Sequence, residues 1–475
     1  MRMNLLDIIR LLGIVCVGMT PDQALSSPTG AAVDSRAVKE GDLFFCLPGE
    51  RADGHDFAWA AVRQGALAVI GTRDPFDGAE DTVPVLVVRD VAEALGAIAS
   101  AHRDTARGTV VGVTGTSGKT SVKETLAAVL AVAGETAKNP VNLNNQIGLP
   151  LSMLNAPWDA AYWVMEAGIN RPDDMDELGT MLRPDIALIL NAGAGHVEGL
   201  GDKGVAHYKA RLLAHLAPNG QGVVSADYPD LVREAAVHAA HITHFSAENP
   251  DEVYYAAYDG AEGLARGRFT LFLDGETVEV SAPFLGSYGA ENVAAVGAVA
   301  HILGLTASEI AKGFAAAALP AQRFTLRETG NFLVIDDSYN ANPLSMNRML
   351  TAAADMARAR GEDLVLVLGE MGELGPESRG YHVALGQEAA ALSPRAVIWK
   401  GGQGDAVGKG LSEAGYAGFF TQVADAASFT TALPLAVPGS GVVLFKGSRS
   451  NKLEELVAAF TAMNGPATKG QAHAV

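Results

Sequence analysis

The sequence predicts an α/β protein of three domains. Three observations predict it. Short β-branched runs alternate with glycine or polar turns and helix-spaced segments; that rhythm restarts after Arg107-Gly108 and after Leu319-Pro320; and 475 residues suit two to four domains that each bury a core. The expected boundaries are 1–106, 107–320 and 321–475. Hydrophobic and charged fractions of 48% and 19% exclude general disorder, and 53 glycines with 21 prolines fit many tight loops. With 35 Lys and Arg against 54 Asp and Glu, the formal charge of −19 argues against a nucleic-acid partner. Cys16 and Cys46 lie in or beside apolar runs and read as packing thiols, which suits a reducing compartment.

The opening MRMNLLDIIRLLGIVCVGM carries Asp7 and Arg10 inside its apolar stretch and has no Ala-x-Ala cleavage pattern. It is expected to form an amphipathic helix leading into a strand, not a signal peptide. No segment reaches about 18 uninterrupted apolar residues, so no membrane span and a cytoplasmic location are expected. From Ala31 to Val88, DLFFCLPG, ALAVIG and PVLVV read as strands, HDFAWAAVRQG has helical spacing, and the helix VAEALGAIASAHRD ends the unit.

TVVGVTG then reads as a buried parallel strand opening the second domain. AYWVMEAG and DIALILNAG follow as strands, bordered by the helices DDMDELGTML and GVAHYKARLLAHL, which implies right-handed crossovers and a parallel sheet. Between Thr243 and Pro283 short alternating strands suggest an antiparallel edge, with Asp274-Gly275 as a hairpin turn, and the helix ENVAAVGAVAHILG closes the domain. FLVIDDSY, LVLVLGE, AVIWKGG and GVVLFKG predict a doubly wound, Rossmann-like third domain over about 321–463, and MNGPATKGQAHAV reads as a frayed tail.

The strongest local signal is Gly115-Thr116-Ser117-Gly118-Lys119-Thr120-Ser121 between a strand and a helix. Glycines let backbone N–H groups turn inward around phosphates, Lys119 adds a cation near the β/γ oxygens, and the Thr120 hydroxyl can ligate Mg²⁺. Val113 stands where the standard spacing has glycine, so the loop is a shortened variant. This predicts a nucleoside triphosphate site and makes the middle domain a P-loop, parallel-sheet ATPase domain. Glu166 and His196 follow carboxyl ends of expected parallel strands, where an open sheet places its ligand crevice. Glu166 is expected to hold Mg²⁺ against the plainer reading of a structural salt bridge, while position alone leaves His196 evenly balanced.

Lys209 on GVAHYKARLLAHL reads by spacing alone as a solvated helix lysine, with Lys203 and Arg211 nearby. Asp336-Asp337-Ser338-Tyr339-Asn340-Ala341-Asn342-Pro343 ends a strand in a ligand-binding loop, with Pro343 in the first turn of the next helix. Lys446-Gly447-Ser448-Arg449-Ser450 precedes NKLEELVAAF and sets two cations beside a helix N-terminus, which favours a carboxylate or phosphate.

Taken together, DSRAVKEGDLFFCLPGERADGHDF, VTGTSGKTSVKETL, NLNNQIGLPLSML, EAGINRPDDMDEL, GHVEGLG, IDDSYNANPLSM, LGEMGELGPES and FKGSRSNKLEELV resemble the Mur ligases, and most closely the MurF branch. The matching pieces run from position 34 to about 457. The resemblance implies an ATP- and Mg²⁺-dependent ligase of peptidoglycan precursor synthesis that joins D-alanyl-D-alanine to a UDP-linked muramoyl tripeptide. Acting as a monomer, it would form the amide through an acyl phosphate. It implies that Ser35 and Arg36 meet the uridine nucleotide end, and that Asn292 and Tyr339 contact adenine and Asp337 the ribose. It also implies that Glu166 and His196 stand on the metal side and that Lys209 is carbamylated and holds a second Mg²⁺. Asn340, Asn342, Lys446, Ser448 and Arg449 would lie on the dipeptide side.

Four positions depart from the family pattern: Tyr288-Gly289 replaces a His-Asn pair, Lys209-Ala210-Arg211 replaces Lys-Gly-Glu, Glu370 replaces Asp, and Gly193-Ala194-Gly195-His196 replaces Gly-Pro-Ala-His. They keep open a paralogue with another amine acceptor or donor. A catalytically weak nucleotide-binding regulator is the reading from a different class.

Overall fold

A computed structural model of the chain describes residues 1–14, 16–49, 52–79, 83–140, 142–193, 200, 203–239, 241–437 and 439–465, except the side chain at 287. Among these residues the strands form three sheets along the chain. The first sheet contains Cys16–Val17 (β1), Ala31–Ala32 (β2), Leu43–Phe45 (β3), Ala68–Gly71 (β4) and Val85–Val87 (β5), in the order β1-β5-β4-β3-β2. Only β1 runs antiparallel in it.

The second sheet contains Thr109–Thr114 (β6), Thr136–Lys138 (β7), Tyr162–Glu166 (β8), Ile186–Ile189 (β9), Gln221–Ser225 (β10), Ile242–Ser246 (β11), Tyr254–Glu262 (β12), Arg266–Leu273 (β13) and Glu276–Ala282 (β14). Their order is β14-β13-β12-β11-β10-β9-β6-β8-β7, which places β6 between β8 and β9. Side chains of a strand alternate between faces, and β6 uses both. Val110 packs with Trp163, Ala187 and Ile189 on one side. Val111 and Val113 pack with Leu126, Leu188 and Val293 on the other. Covering on both faces explains why TVVGVT is an unbroken apolar and β-branched run.

The antiparallel edge is confined to β12, β13 and β14, because β11 pairs in parallel with both β10 and β12. Asp274 (φ +45°) and Gly275 (φ +90°) make the two-residue turn between β13 and β14. Left-handed backbone at both positions matches the twist of the flanking strands, which is why Asp-Gly serves there.

The third sheet contains Thr325–Thr329 (β15), Phe332–Asp337 (β16), Leu364–Gly369 (β17), Ala396–Lys400 (β18), Phe419–Gln422 (β19) and Gly441–Lys446 (β20), in the order β15-β16-β20-β17-β18-β19. All its pairings are parallel except that of β15 with β16. Helices cover both faces, with Met346, Leu350 and Leu385 on one side and Phe429, Leu456 and Phe460 on the other. The expected doubly wound arrangement is present.

Two local expectations differ from the structure. GVAHYKARLLAHL does not form one α-helix: Val205–Ala210 is α-helical, and Arg211–His215 tightens into a 3₁₀ turn. Asp176 on the helix Asp174–Leu182 anchors both ends of that turn, accepting from Arg211 Nε at 2.5 Å and bonding His215 Nε2 at 2.7 Å. Strands β2, β7, β10, β15 and β19 have no counterpart in the sequence reading; of these, β15 (TLRET) and β19 (FFTQ) are short and half-buried at sheet edges, whereas β10 is buried inside its sheet. The tail from residue 466 lies outside the described residues.

The entrance to β6 depends on close backbone contact. A Cβ at Gly108 would stand 2.1 Å from the carbonyl oxygen of Ala160 and 2.3 Å from that of Ala161. Because backbone must move to admit it, Gly108→Ala is expected to destabilise the protein by about 1–3 kcal/mol. A thermal melt against the parent chain checks this.

Candidate active site

The carboxyl ends of β6, β8 and β9 converge on the loop that joins β6 to the helix Lys119–Leu130. Gly118 caps that helix at φ +84°, a conformation that glycine adopts without strain. Asn191, two residues beyond the end of β9, holds the loop. Its Oδ1 accepts from Ser117 N at 2.8 Å, its Nδ2 donates to Ser117 O at 3.1 Å, and its carbonyl accepts from Thr116 N at 3.2 Å. Lys119 folds back so that Nζ donates to the carbonyls of Gly115 (2.8 Å) and Thr116 (3.3 Å).

Glu166, the last residue of β8, lies beneath the loop and is buried. Thr120 Oγ1 donates to its Oε2 at 2.9 Å, and Asn144 Nδ2 donates to its Oε1 at 2.7 Å. Lys123, also buried, sits one helical turn after Lys119. Its Nζ is 3.9 Å from Glu166 Oε2 and donates to Asn139 O at 2.6 Å.

Lys209 is buried on the short helix that follows β9. Withdrawal from water, with the nearby Lys119 cation, pushes its ammonium well below the ordinary lysine range, and Glu166 offsets this only in part. Burial also lowers Lys119, against the pull of Glu166. Arg323 adds a third cation. Its guanidinium carbon stands 4.1 Å over the Tyr339 ring, and Nη2 lies 3.4 Å from Thr120 Oγ1.

The facing wall comes from the third sheet. Asp337 at the end of β16 accepts from Phe324 N (3.0 Å) and from Lys446 Nζ (2.5 Å), and Lys446 also donates to Asn340 O (3.0 Å). Asn342 caps the helix Pro343–Arg360, accepting from Ser345 N at 2.8 Å, while its Nδ2 donates to the phosphate-loop carbonyl of Thr116 at 3.2 Å. Ser448 Oγ donates to Glu370 O at 2.6 Å, and Arg449 pairs with Glu454 at 2.7 Å. Lys446 and Arg449 are therefore already paired with carboxylates of the chain. The helix after this loop starts only at Leu453, beyond a left-handed Lys452, so its N-terminus does not abut Ser448.

Between the walls lies a cavity of about 850 Å³. It gathers Thr116 to Ser121, Glu166, Asn292, Asp337, Tyr339, Asn340, Asn342, Lys446, Ser448 and Arg449 from the sequence-predicted set. Two buried polar atoms on its rim, Tyr288 Oη and Asn292 Oδ1, have no hydrogen-bond partner among the described residues. Ser35 and Arg36 are not brought to this cavity: Ser35 is buried in the first unit, and Arg36 is exposed and paired with Asp34 at 2.7 Å. Lys209 lies behind the lining rather than on it, and His196 falls outside the described residues.

Sequence reasoning assigned no role to Asn144, Asn191, Arg323 or Arg348, all placed at this site by the fold. Asn144 lies in NLNNQIG, where a cluster of asparagines was a visible signal. Lone Asn191, Arg323 and Arg348 had none.

A glycine-rich loop and lysine at a strand-to-helix junction, with a buried carboxylate behind them and a second α/β unit closing the cavity, define a P-loop nucleotide-binding protein of three α/β units. The chain matches family models described as "Mur ligase family, catalytic domain" over residues 29–103, "Mur ligase middle domain" over 113–300 and "Mur ligase, glutamate ligase domain" over 322–449. It is 35% identical over 433 residues to the UDP-N-acetylmuramoyl-tripeptide–D-alanyl-D-alanine ligase of Escherichia coli, covering 90% of this chain and 92% of that one. The crystal structure of MurF from Acinetobacter baumannii superposes with a TM-score of 0.83 at 28% identity, covering 97% and 98% of the two chains. MurF ligase of Thermotoga maritima, solved in complex with ADP, superposes at 0.76 and 28% identity over 91% and 97%. The chain belongs to the Mur ligase family.

Lys209 yields a stability prediction. A lysine with a lowered pKa in the folded state binds fewer protons there than when unfolded. Stability therefore rises with pH from the folded value up to the ordinary lysine value. In CO₂-free buffer, Lys209→Met is expected to melt higher than the parent at neutral pH and to lose part of this rise. Melting curves from pH 6 to 10 check it.

Proposed function

We propose that the chain joins D-alanyl-D-alanine to UDP-N-acetylmuramoyl-tripeptide in an ATP-dependent step of peptidoglycan precursor synthesis. The observation that carries this reading is one cavity with the phosphate loop on one wall and the Asp337–Asn342 and Lys446–Ser450 loops on the other. It is joined to 35% identity over 90% of the chain with a ligase of that name. Among the described residues no helix is long and apolar enough to cross a membrane. The nucleotide substrates support action in the cytoplasm.

In the proposed reaction the terminal carboxylate of the tripeptide attacks the γ-phosphorus of ATP, ADP leaves, and an acyl phosphate forms. The dipeptide amine attacks its carbonyl carbon and loses a proton, and the tetrahedral adduct collapses to an amide and inorganic phosphate. Charge grows on phosphoryl oxygens, so fixed cations and backbone N–H groups carry the stabilisation. Lys119 exchanges its two loop carbonyls for phosphate oxygens, and Arg323 faces the same space. Asn292 and Tyr339 serve the base, with the orphaned Asn292 Oδ1 supporting that role, and Asp337 serves the ribose. Asn340, Asn342, Lys446, Ser448 and Arg449 line the dipeptide side, and Ser35 and Arg36 in the first unit take the uridine end.

Mg²⁺ fits the donor set. Among the described residues no group of three or more His, Cys, Asp and Glu could hold a metal alone. The Thr120 hydroxyl and Glu166 carboxylate touch directly beneath the loop, and Mg²⁺ takes one or two such oxygens beside substrate phosphates. Thr120 and Glu166 would hold it, with His196 in the metal-side role the family implies, and it would neutralise charge on the transferring phosphoryl group. The depressed Lys209 amine supports carbamylation, because only the neutral amine adds to CO₂, and the anion formed would be the group that holds a second Mg²⁺.

Phosphate release is expected only when ATP, Mg²⁺, the UDP-tripeptide and D-Ala-D-Ala are all present. Turnover with other amines but not this dipeptide would replace the reading by a paralogue with another acceptor. Lys119→Ala is expected to lower kcat by roughly 10²–10³-fold. Cell-wall function that survives the loss of ATP turnover in Lys119→Ala would favour the regulator. Removing CO₂ is expected to lower the rate of the parent chain and bicarbonate to restore it, with Lys209→Ala insensitive to both.

A further inference from the structure

The helix Ser287–Ile302 carries Glu291 immediately before Asn292, and Glu291 is almost fully buried. Its Oε2 forms an ion pair of 2.6 Å with Arg348 Nη2, which comes from the helix Pro343–Arg360 of the third sheet's unit. The same oxygen accepts from Asn191 Nδ2 at 3.4 Å, and Asn191 is the residue that holds both backbone groups of Ser117. Arg348 Nη2 also donates to Tyr228 Oη at 2.6 Å, so a further segment closes on the pair. Glu291 Oε1 has no hydrogen-bond partner among the described residues. The carboxylate therefore depends on its Oε2 side for compensation of a buried charge.

Two routes connect the helix Pro343–Arg360 to the phosphate loop. One is the cap, Asn342 Nδ2 to Thr116 O. The other is Arg348 to Glu291 to Asn191 to Ser117. Arg348 also lines the cavity, so the Arg348 end of the pair borders the space where phosphates and acceptor must meet. We propose that Glu291 and Arg348 are positioning residues: their buried ion pair registers the third-domain helix, and the acceptor-side loop at its start, against the phosphate loop. Neither residue is assigned contact with the reacting atoms. The pair acts through Asn191, and the kinetic part of the proposal rests on the ligase reading.

Hydrogen–deuterium exchange of the ligand-free protein tests the coupling without turnover. Glu291→Gln and Arg348→Met are each expected to speed exchange in the peptide that contains Ser117, and Arg348→Lys is expected to recover part of the protection. In the phosphate-release assay each of the two losses is expected to lower kcat on the order of tenfold with little change in the KM for ATP. The double variant is expected to be no worse than the poorer single one. If a single variant leaves a stranded charge that prevents folding, Glu291→Leu with Arg348→Met removes both charges at similar volume and is measured instead. Unchanged exchange at Ser117 in folded variants, or kinetic losses that multiply in the double variant, overturns the proposal. A parent chain that lacks turnover overturns the ligase reading alone, since the exchange experiment still reports on the pair.

Discussion

Four basic side chains, Lys119, Lys123, Lys209 and Arg323, are drawn together around buried Glu166 in a protein whose formal charge is −19. Burial and mutual repulsion oppose this, and buried Glu166 offsets them only in part. Much of the architecture at the site can be understood as the means of holding that arrangement. The parallel sheet brings β6, β8 and β9 side by side, so the loop, the carboxylate and Asn191 all emerge at one edge. Hydrogen bonds from Thr120 and Asn144 then fix both oxygens of Glu166. A concentrated local positive field needs an anion to complete it, and a polyphosphate supplies one.

The third unit does more than cover the cavity. Its loops reach the phosphate loop through Asn342 and approach it through Arg348, so acceptor-side groups sit on elements hydrogen-bonded to the ATP side. Lys446 shows why a cation in a binding loop is not always a free one. Paired with Asp337 and donating to Asn340 O, it shapes the Asp337–Asn342 loop. Arg211 shows the same economy: its charge is met by Asp176 at the 3₁₀ turn beyond Lys209.

Legibility in the sequence followed the range of the interaction. TVVGVTGTSGKT announces strand, loop and helix because its signals lie within a dozen consecutive residues and rest on backbone conformation and helix polarity. Asp274-Gly275 is equally local. The edge strands β15 and β19 are not, since their half-buried residues carry little alternation and pairing with a neighbour defines them. Arg323 and Asn191 carry no local pattern at all. Lys209 reads as a solvated helix residue from spacing, and its burial follows from packing against elements far away in the chain.

The sequence by itself determined the class of each sheet, the phosphate loop and the family pattern, because hydrophobic period, turn chemistry and contiguous motifs are properties of neighbouring residues. The tertiary structure decided which charges are free and which are spent on internal partners, how the two walls are tied through Glu291 and Arg348, and that Ser35 and Arg36 stand apart from the central cavity. Those outcomes depend on which side chains the fold brings together, from 57 positions apart for Glu291 and Arg348 to 109 for Lys446 and Asp337, and on water being excluded between them, neither of which a linear pattern encodes.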